Sequence, residues 1–235
     1  MPARSPPWRL TFRAALLGLA LIAPAAGATE PSRVDLELLL AMDSSASVNF
    51  AEFALQAAGT ARALADPEVI EAIGLYAPGG VAISVVQWSG RYEQRVAIDW
   101  TRVSAPPSIE ALASRIEAMS RSSISETALG DMLRFAIDHI ERSPFQGARR
   151  LIDVSGDGRA NAGPAPGPIR DAAALAGITI NGLAILNDDV TLDLYYADHV
   201  IGGPGAFVMT ADDYHDVLRA MRGKLLREIR GAPLG

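Results

Sequence analysis

The sequence contains no cysteine. That excludes disulfides, thiolate metal centres and a lipid-anchored N-terminal cysteine, so stability must come from packing, with bound metal as the other source. Aromatic residues are scarce at 6%, while hydrophobic residues reach 49%, so the core must be mainly aliphatic. Positive charge is also short: the formal net charge is −6, and no run of Lys or Arg offsets it. A generic nucleic-acid surface is therefore excluded. No apolar run reaches the roughly 20 residues needed to span a bilayer. The G-x-S-x-G, H-E-x-x-H and G-x-G-x-x-G patterns of common enzyme and dinucleotide sites are absent.

What is present begins with an export signal. Arg4, Arg9 and Arg13 precede a short apolar run from Ala14 to Ala23, and Ala26-Gly27-Ala28 supplies a small-x-small cleavage pattern. A signal peptide over residues 1–28 is expected, cut after Ala28, with the mature chain periplasmic or secreted. Residues 1–28 hold three Arg and no acid, so cleavage takes the charge from −6 to −9. Residues 29–235 are expected to form one domain, a comfortable length for an α/β fold.

The mature sequence alternates between strand-like and helix-like stretches. Val34–Met42 opens with period-two alternation and ends continuously apolar, as a strand covered on both faces does. Phe50, Phe53, Ala54, Ala57, Ala61 and Leu64 follow at helical spacing. Val81–Trp88 and Arg95–Trp100 read as strands so close together that one must run antiparallel at an edge. After Pro106-Pro107, Ile109, Leu112, Ala113, Ile116 and Met119 mark a helix. A stronger helix follows Thr127, with Leu129, Met132, Leu133, Ala136, Ile137 and Ile140 on one face. Arg149–Ser155 is the fourth strand, residues 162–168 a loop, and Ile169–Ala176 a helix. Ile178–Leu186 is the fifth strand, residues 191–200 a short helix, and Phe207–Thr210 a sixth strand. A last helix carries Tyr214, Val217, Leu218, Met221, Leu225 and Ile229. The expected architecture is α/β and doubly wound: a mainly parallel six-stranded sheet, one antiparallel edge strand, and helices on both faces.

In such sheets ligands bind beyond the carboxyl ends of the strands, and three loops there carry chemistry. Asp43-Ser44-Ser45-Ala46-Ser47 follows the first strand as D-x-S-x-S. One carboxylate and two hydroxyls spaced two apart can face one point and offer hard oxygen ligands, suited to Mg²⁺, Mn²⁺ or Ca²⁺ rather than zinc. Alone the pattern is weak, since roughly one chain in ten of this length would contain it by chance, and Ser47 has the plain alternative of capping the next helix. Thr127 stands before the strongest helix and has the same alternative. Asp157, between Gly156 and Gly158, follows the fourth strand; an ordinary Asp-Gly turn is its plain alternative.

Together these loops resemble von Willebrand factor A domains, in which D-x-S-x-S, a distant Thr and a distant Asp-Gly form a metal-ion-dependent adhesion site. The resemblance covers about residues 33–230 and looks closest to an exported bacterial branch of undetermined function. It implies that Ser45, Ser47 and Thr127 offer hydroxyls directly to a divalent metal, Mg²⁺ with Mn²⁺ or Ca²⁺ as alternatives. Asp43 and Asp157 would act mainly through bound water. An acidic side chain of a protein partner would then complete the coordination shell, a binding mechanism rather than a catalytic one.

Two residues depart from the pattern. Glu126 stands where relatives have small residues, and either points at the metal or faces solvent. Asp153 lies in a strand expected to be buried, and either pairs with Arg149 or Arg150, helps position the site, or lies on a partly wet face. His139, His199 and His215 share no ligand spacing. Trp88 and Trp100 are expected to pack the sheet edge, and Asp188-Asp189 to form a solvated loop. The Ala162–Pro168 loop is expected on the metal face, shaping partner choice. Two other functions remain: a phosphoesterase-type hydrolase with Asp43 as nucleophile, weakened because Ser45 stands where a second Asp is wanted, and a domain that keeps the fold without the metal.

Overall fold

Leu36, Leu38, Leu40 and Met42 alternate with Leu39 and Ala41 along the first strand, and this alternation sorts the core into two layers. The computed structural model describes Met1 and residues 31–231; the signal peptide and its cleavage point fall outside that range. β1 (Ser32–Asp43) is central. Its even-numbered apolar residues pack against α1 (Phe50–Leu64), α2 (Pro67–Tyr76), α3 (Pro106–Glu117) and α7 (Val217–Arg230). Leu39 and Ala41 face α4 (Leu129–Glu141), α5 (Pro166–Leu175) and α6 (Leu192–His199).

The other strands are β2 (Val81–Trp88), β3 (Gln94–Val103), β4 (Phe145–Gly156), β5 (Ile178–Ile185) and β6 (Val208–Ala211). The sheet order is β3-β2-β1-β4-β5-β6. Only the β2–β3 pair is antiparallel, which places the expected antiparallel strand at the edge. Chain order reverses direction between β1 and β4, and in that register Met42 lies beside Ser155. Asp43 and Gly156, the last residues of their strands, thus end together at the crevice where ligands of such sheets bind.

Some local expectations need correction. The stretch between β1 and β2 holds two helices rather than one: Asp66 accepts from Glu68 N and Pro67 occupies the first turn of α2, where its missing N–H costs nothing. The same physics starts α5 at Pro166, inside the segment expected to be loop. On α1, Phe50 and Ala54 are exposed, and Gln56 and Thr60 take their place on the buried face. On α7, Leu218 is partly exposed while Lys224 and Glu228 are buried. Trp88 is fully buried in the core rather than packed at an edge, whereas Trp100 lies on edge strand β3, stacked on His139.

Candidate metal centre

Asp43 ends β1 fully buried. Its Oδ1 accepts the Ser45 N–H at 2.7 Å, which folds the D-x-S-x-S segment into a tight turn. Ser44 ties that turn to β2, donating through both N and Oγ to the Trp88 carbonyl. Ala46 N donates to Ser125 O at 2.7 Å. The Arg121 guanidinium donates to the carbonyls of Ser44 and Ser45. The turn is therefore held on three sides before any ligand is considered.

Within it, Ser45 Oγ and Ser47 Oγ stand 3.2 Å apart. Ser47 Oγ donates to Asp157 Oδ1 at 2.6 Å, and Tyr214 OH donates to Asp157 Oδ2 at 2.9 Å. Thr127 is buried, its N–H held by Asn161 Oδ1 at 2.7 Å while its carbonyl accepts from Asn161 N. A Cβ placed on Gly158 would lie 3.7 Å from Thr127 Oγ1 and 3.9 Å from Ser47 Oγ, so both hydroxyls face the same small volume. All five residues singled out in the sequence, Asp43, Ser45, Ser47, Thr127 and Asp157, converge.

The plain alternatives do not describe this arrangement. The cap of α1 is Asn49, whose side chain accepts from Ala51 N and Glu52 N in a capping box with Glu52. The residue before α4 is Ala128, and no side chain caps that helix. Ser47 and Thr127 therefore hold their hydroxyls free of helix-end duty. Asp157 bonds to residues from two other segments instead of merely making a turn.

Neither Asp43 nor Asp157 has a Lys, Arg or His ion-pair partner among the described residues, and Asp43 Oδ2 is buried without any hydrogen-bond partner. Burial, and then the neighbouring Asp157 charge, push the Asp43 carboxyl up to about 7, against the pull of its Ser45 bonds and Arg121. Burial also raises Asp157, opposed by its bonds from Ser47 and Tyr214. Burial and Asp157 raise the Tyr214 hydroxyl in turn. Two buried carboxylates without a counter-charge are costly; a cation among them would remove that cost. No group of three or more His, Asp or Glu that could hold a metal occurs among the described residues. The donor set is thus two carboxylates and three hydroxyls, all hard oxygens, and fits a divalent cation.

Other candidates lie elsewhere. Glu126 is exposed, its Oε2 taken by Ser125 Oγ at 2.7 Å. Asp153 pairs with neither Arg149 nor Arg150 but meets Lys224 Nζ at 2.7 Å, deep in the protein. His139 Nε2 lies 2.9 Å from Ser84 Oγ. Asp189 pairs with Arg159 and accepts from Thr191. The 162–168 segment lies against the start of α4: a Cβ on Gly130 would sit 2.2 Å from Pro164 O.

Sequence reading passed over four supports of the site. Gln56 donates to Asp43 O at 3.1 Å and accepts from Ser155 Oγ at 2.8 Å, joining the ends of β1 and β4. Its signal was a polar residue on the apolar face of α1. Tyr214 was visible only as an apolar helix position. Arg121 and Asn161 act from loops with no periodicity to mark them.

A family model described as "Protein of unknown function (DUF1194)" matches residues 33–233. No curated protein matches the chain in sequence. Among solved structures, proximal thread matrix protein 1 from the mussel byssus is similar at 16% identity and TM-score 0.62, over 83% of this chain and 47% of that one. The same mussel protein has also been solved with zinc in its MIDAS motif. A von Willebrand factor type A protein from Catenulispora acidiphila matches at 16% identity and TM-score 0.55, over 83% of this chain and 42% of that one. The pilus adhesin SpaC from Lactobacillus rhamnosus GG matches at 12% identity and TM-score 0.61, over 83% of this chain and 30% of that one. The chain thus spans about half or less of these relatives, and what it shares with them is the von Willebrand factor A fold.

Proposed function

We propose, for a chain that belongs to the DUF1194 family and has the von Willebrand factor A fold, that it is a divalent-metal-dependent module for binding a protein partner. The observation that carries this reading is the pair of buried, unpaired carboxylates, Asp43 and Asp157, set among three hydroxyls. Ser45, Ser47 and Thr127 would hold the metal directly, with Asp43 and Asp157 balancing its charge through water. Mg²⁺ is the proposed ion; Mn²⁺ and Ca²⁺ share its preference for oxygen. Few direct carboxylates leave such an ion electron-poor, so a partner's acidic side chain is a favourable added ligand. The N-terminal export pattern supports a periplasmic or secreted location. No helix among the described residues is long and apolar enough to cross a membrane.

The hydrolase reading is less well supported. Asp43 is fully buried and one of its oxygens is held by Ser45 N, so it presents poorly as a nucleophile. Turnover of a phosphoester, lost in Asp43→Ala, would restore that reading.

The test is a thermal melt of the chain in EDTA and in about 10 mM Mg²⁺ or Mn²⁺, beside Asp43→Ala. A ligand at 100 times its Kd stabilises the folded state by about 2.7 kcal/mol, or roughly 5–11 °C for a domain of this size. A rise of that order, absent in Asp43→Ala, is expected. No shift with Mg²⁺, Mn²⁺ or Ca²⁺ would leave a domain that keeps the fold and works without metal.

A further inference from the structure

Away from the metal centre, a cleft of about 440 Å³ opens between the amino-terminal halves of β4 and β5 and the end of α7. Arg149, Arg150, Arg227 and Arg230 all line it, in a chain whose net charge is −6. None of the four has a carboxylate ion-pair partner among the described residues. Arg149 donates to the carbonyls of Glu228 at 2.5 Å and Ile229 at 2.7 Å, and Arg150 to that of Ala176. These contacts hold the ends of α7 and α5 and orient the guanidinium groups through carbonyls rather than carboxylates. The guanidinium carbon of Arg227 lies over the Phe207 ring, 3.9 Å from its centroid. Stacking on an aromatic face leaves the N–H edge of a guanidinium free to donate.

The acid in the cleft wall attracts Arg149, as does Asp35, but it forms no ion pair with any of the four arginines and is held by other partners. Glu228 is 2% exposed, and its Oε1 is committed to Lys224 Nζ at 2.5 Å and Asn181 Nδ2 at 2.9 Å. Lys224, the chain's one lysine, also meets Asp153. Glu228 therefore belongs to a buried cluster behind the cleft. An anion in the cleft would meet guanidinium groups from both β4 and α7.

We infer that this cleft binds a compact, multiply charged oxyanion, a phosphate compound or a small polycarboxylate, through the guanidinium groups. The planar fork of arginine suits both chemistries. Its volume lies within the roughly 300–1,000 Å³ of small-molecule sites, and Tyr76 gives it an aromatic wall for an apolar portion. The inference is independent of the metal reading.

Isothermal titration of the full chain in EDTA with inorganic pyrophosphate and, separately, citrate tests it. The expected result is one saturable site, weakened by salt, with the tighter probe identifying the chemistry. Arg227→Gln should raise the Kd about tenfold, a change of about 1.4 kcal/mol, and adding Arg230→Gln should abolish binding. Both residues are exposed, so the melting midpoint should stay within about 2 °C and show the variants folded. Arg227→Lys, which keeps the charge but loses the fork, should fall between. Asp43→Ala should bind as the unsubstituted chain does. No saturable binding of either probe, or binding unchanged in Arg227→Gln/Arg230→Gln, or binding lost in Asp43→Ala, would overturn the inference.

Discussion

Replacing Asp43 by Asn should stabilise the metal-free protein while abolishing its response to metal. The Asp43 carboxyl sits at about 7 in the folded chain against 3.8 ordinarily. Between roughly pH 4 and 7 the folded state keeps a proton that the unfolded state has lost, so stability falls as pH rises through that window. The cost is absent below the lower value and complete above the upper one. A gap of about 3 units at ~1.4 kcal/mol each gives a ceiling of about 4 kcal/mol. Asn keeps the oxygen that accepts from Ser45 N and removes the charge. Its new N–H₂ needs an acceptor, and the buried, partnerless Tyr196 hydroxyl is near: a Cβ on Gly156 would lie 2.7 Å from Asp43 Oδ2 and 2.8 Å from Tyr196 OH. Allowing half the ceiling for incomplete satisfaction leaves about 2 kcal/mol, or roughly 4–8 °C in Tm for a domain this size. Melts in EDTA at about pH 8 should place Asp43→Asn above the unsubstituted chain, and melts in about 10 mM Mg²⁺ or Mn²⁺ should reverse that order. An Asn variant that melts no higher in EDTA, or whose advantage is equal at about pH 5 and pH 8, would refute the reasoning.

Three more outcomes are expected. Thr127→Ala should move the midpoint in EDTA by less than about 2 °C, because no cap of α4 is lost, yet weaken Mn²⁺ binding about tenfold; Thr127→Ser should restore it, and a Ser variant as weak as Ala would count against a hydroxyl ligand. Burial also raises the Asp153 carboxyl above its ordinary range, against the pull of Lys224, so it too costs stability as pH climbs past that ordinary range. Urea unfolding should show Asp153→Asn gaining on the unsubstituted chain between about pH 5 and pH 8; a difference that ignores pH would contradict this. Gly130→Ala drives a Cβ to 2.2 Å from Pro164 O and should cost about 1–3 kcal/mol, with faster proteolysis in the 162–168 segment; an unchanged midpoint would mean the segment yields freely.

The sheet, and the five residues that converge beyond its carboxyl ends, were legible because their signals are local. Alternation along β1 assigns Leu38 and Leu39 to opposite layers from sequence alone, and strands followed at once by D-x-S-x-S or Gly-Asp-Gly put oxygen ligands at carboxyl ends. The second helix is legible too, in Asp66-Pro67, but the apolar spacing followed from Phe50 stops at Leu64, short of it. Side-chain partners across long separations were not legible. Asp153 was weighed against Arg149 and Arg150, its neighbours in the chain, whereas its counter-ion is Lys224, 71 positions on, brought inward on a face of α7 that reads as apolar.

The sequence by itself determined the six strands in order, the helices that cover both faces of the sheet and the oxygen-rich loops at the carboxyl ends of its strands, because hydrophobic period and turn composition act over a few residues. Only the tertiary structure decided that Asp43 and Asp157 have no ion-pair partner among the described residues, that Gln56 and Tyr214 brace them, and that four arginines from β4 and α7 share one cleft. Electrostatic energy depends on distance and burial, and neither is a property of spacing along the chain.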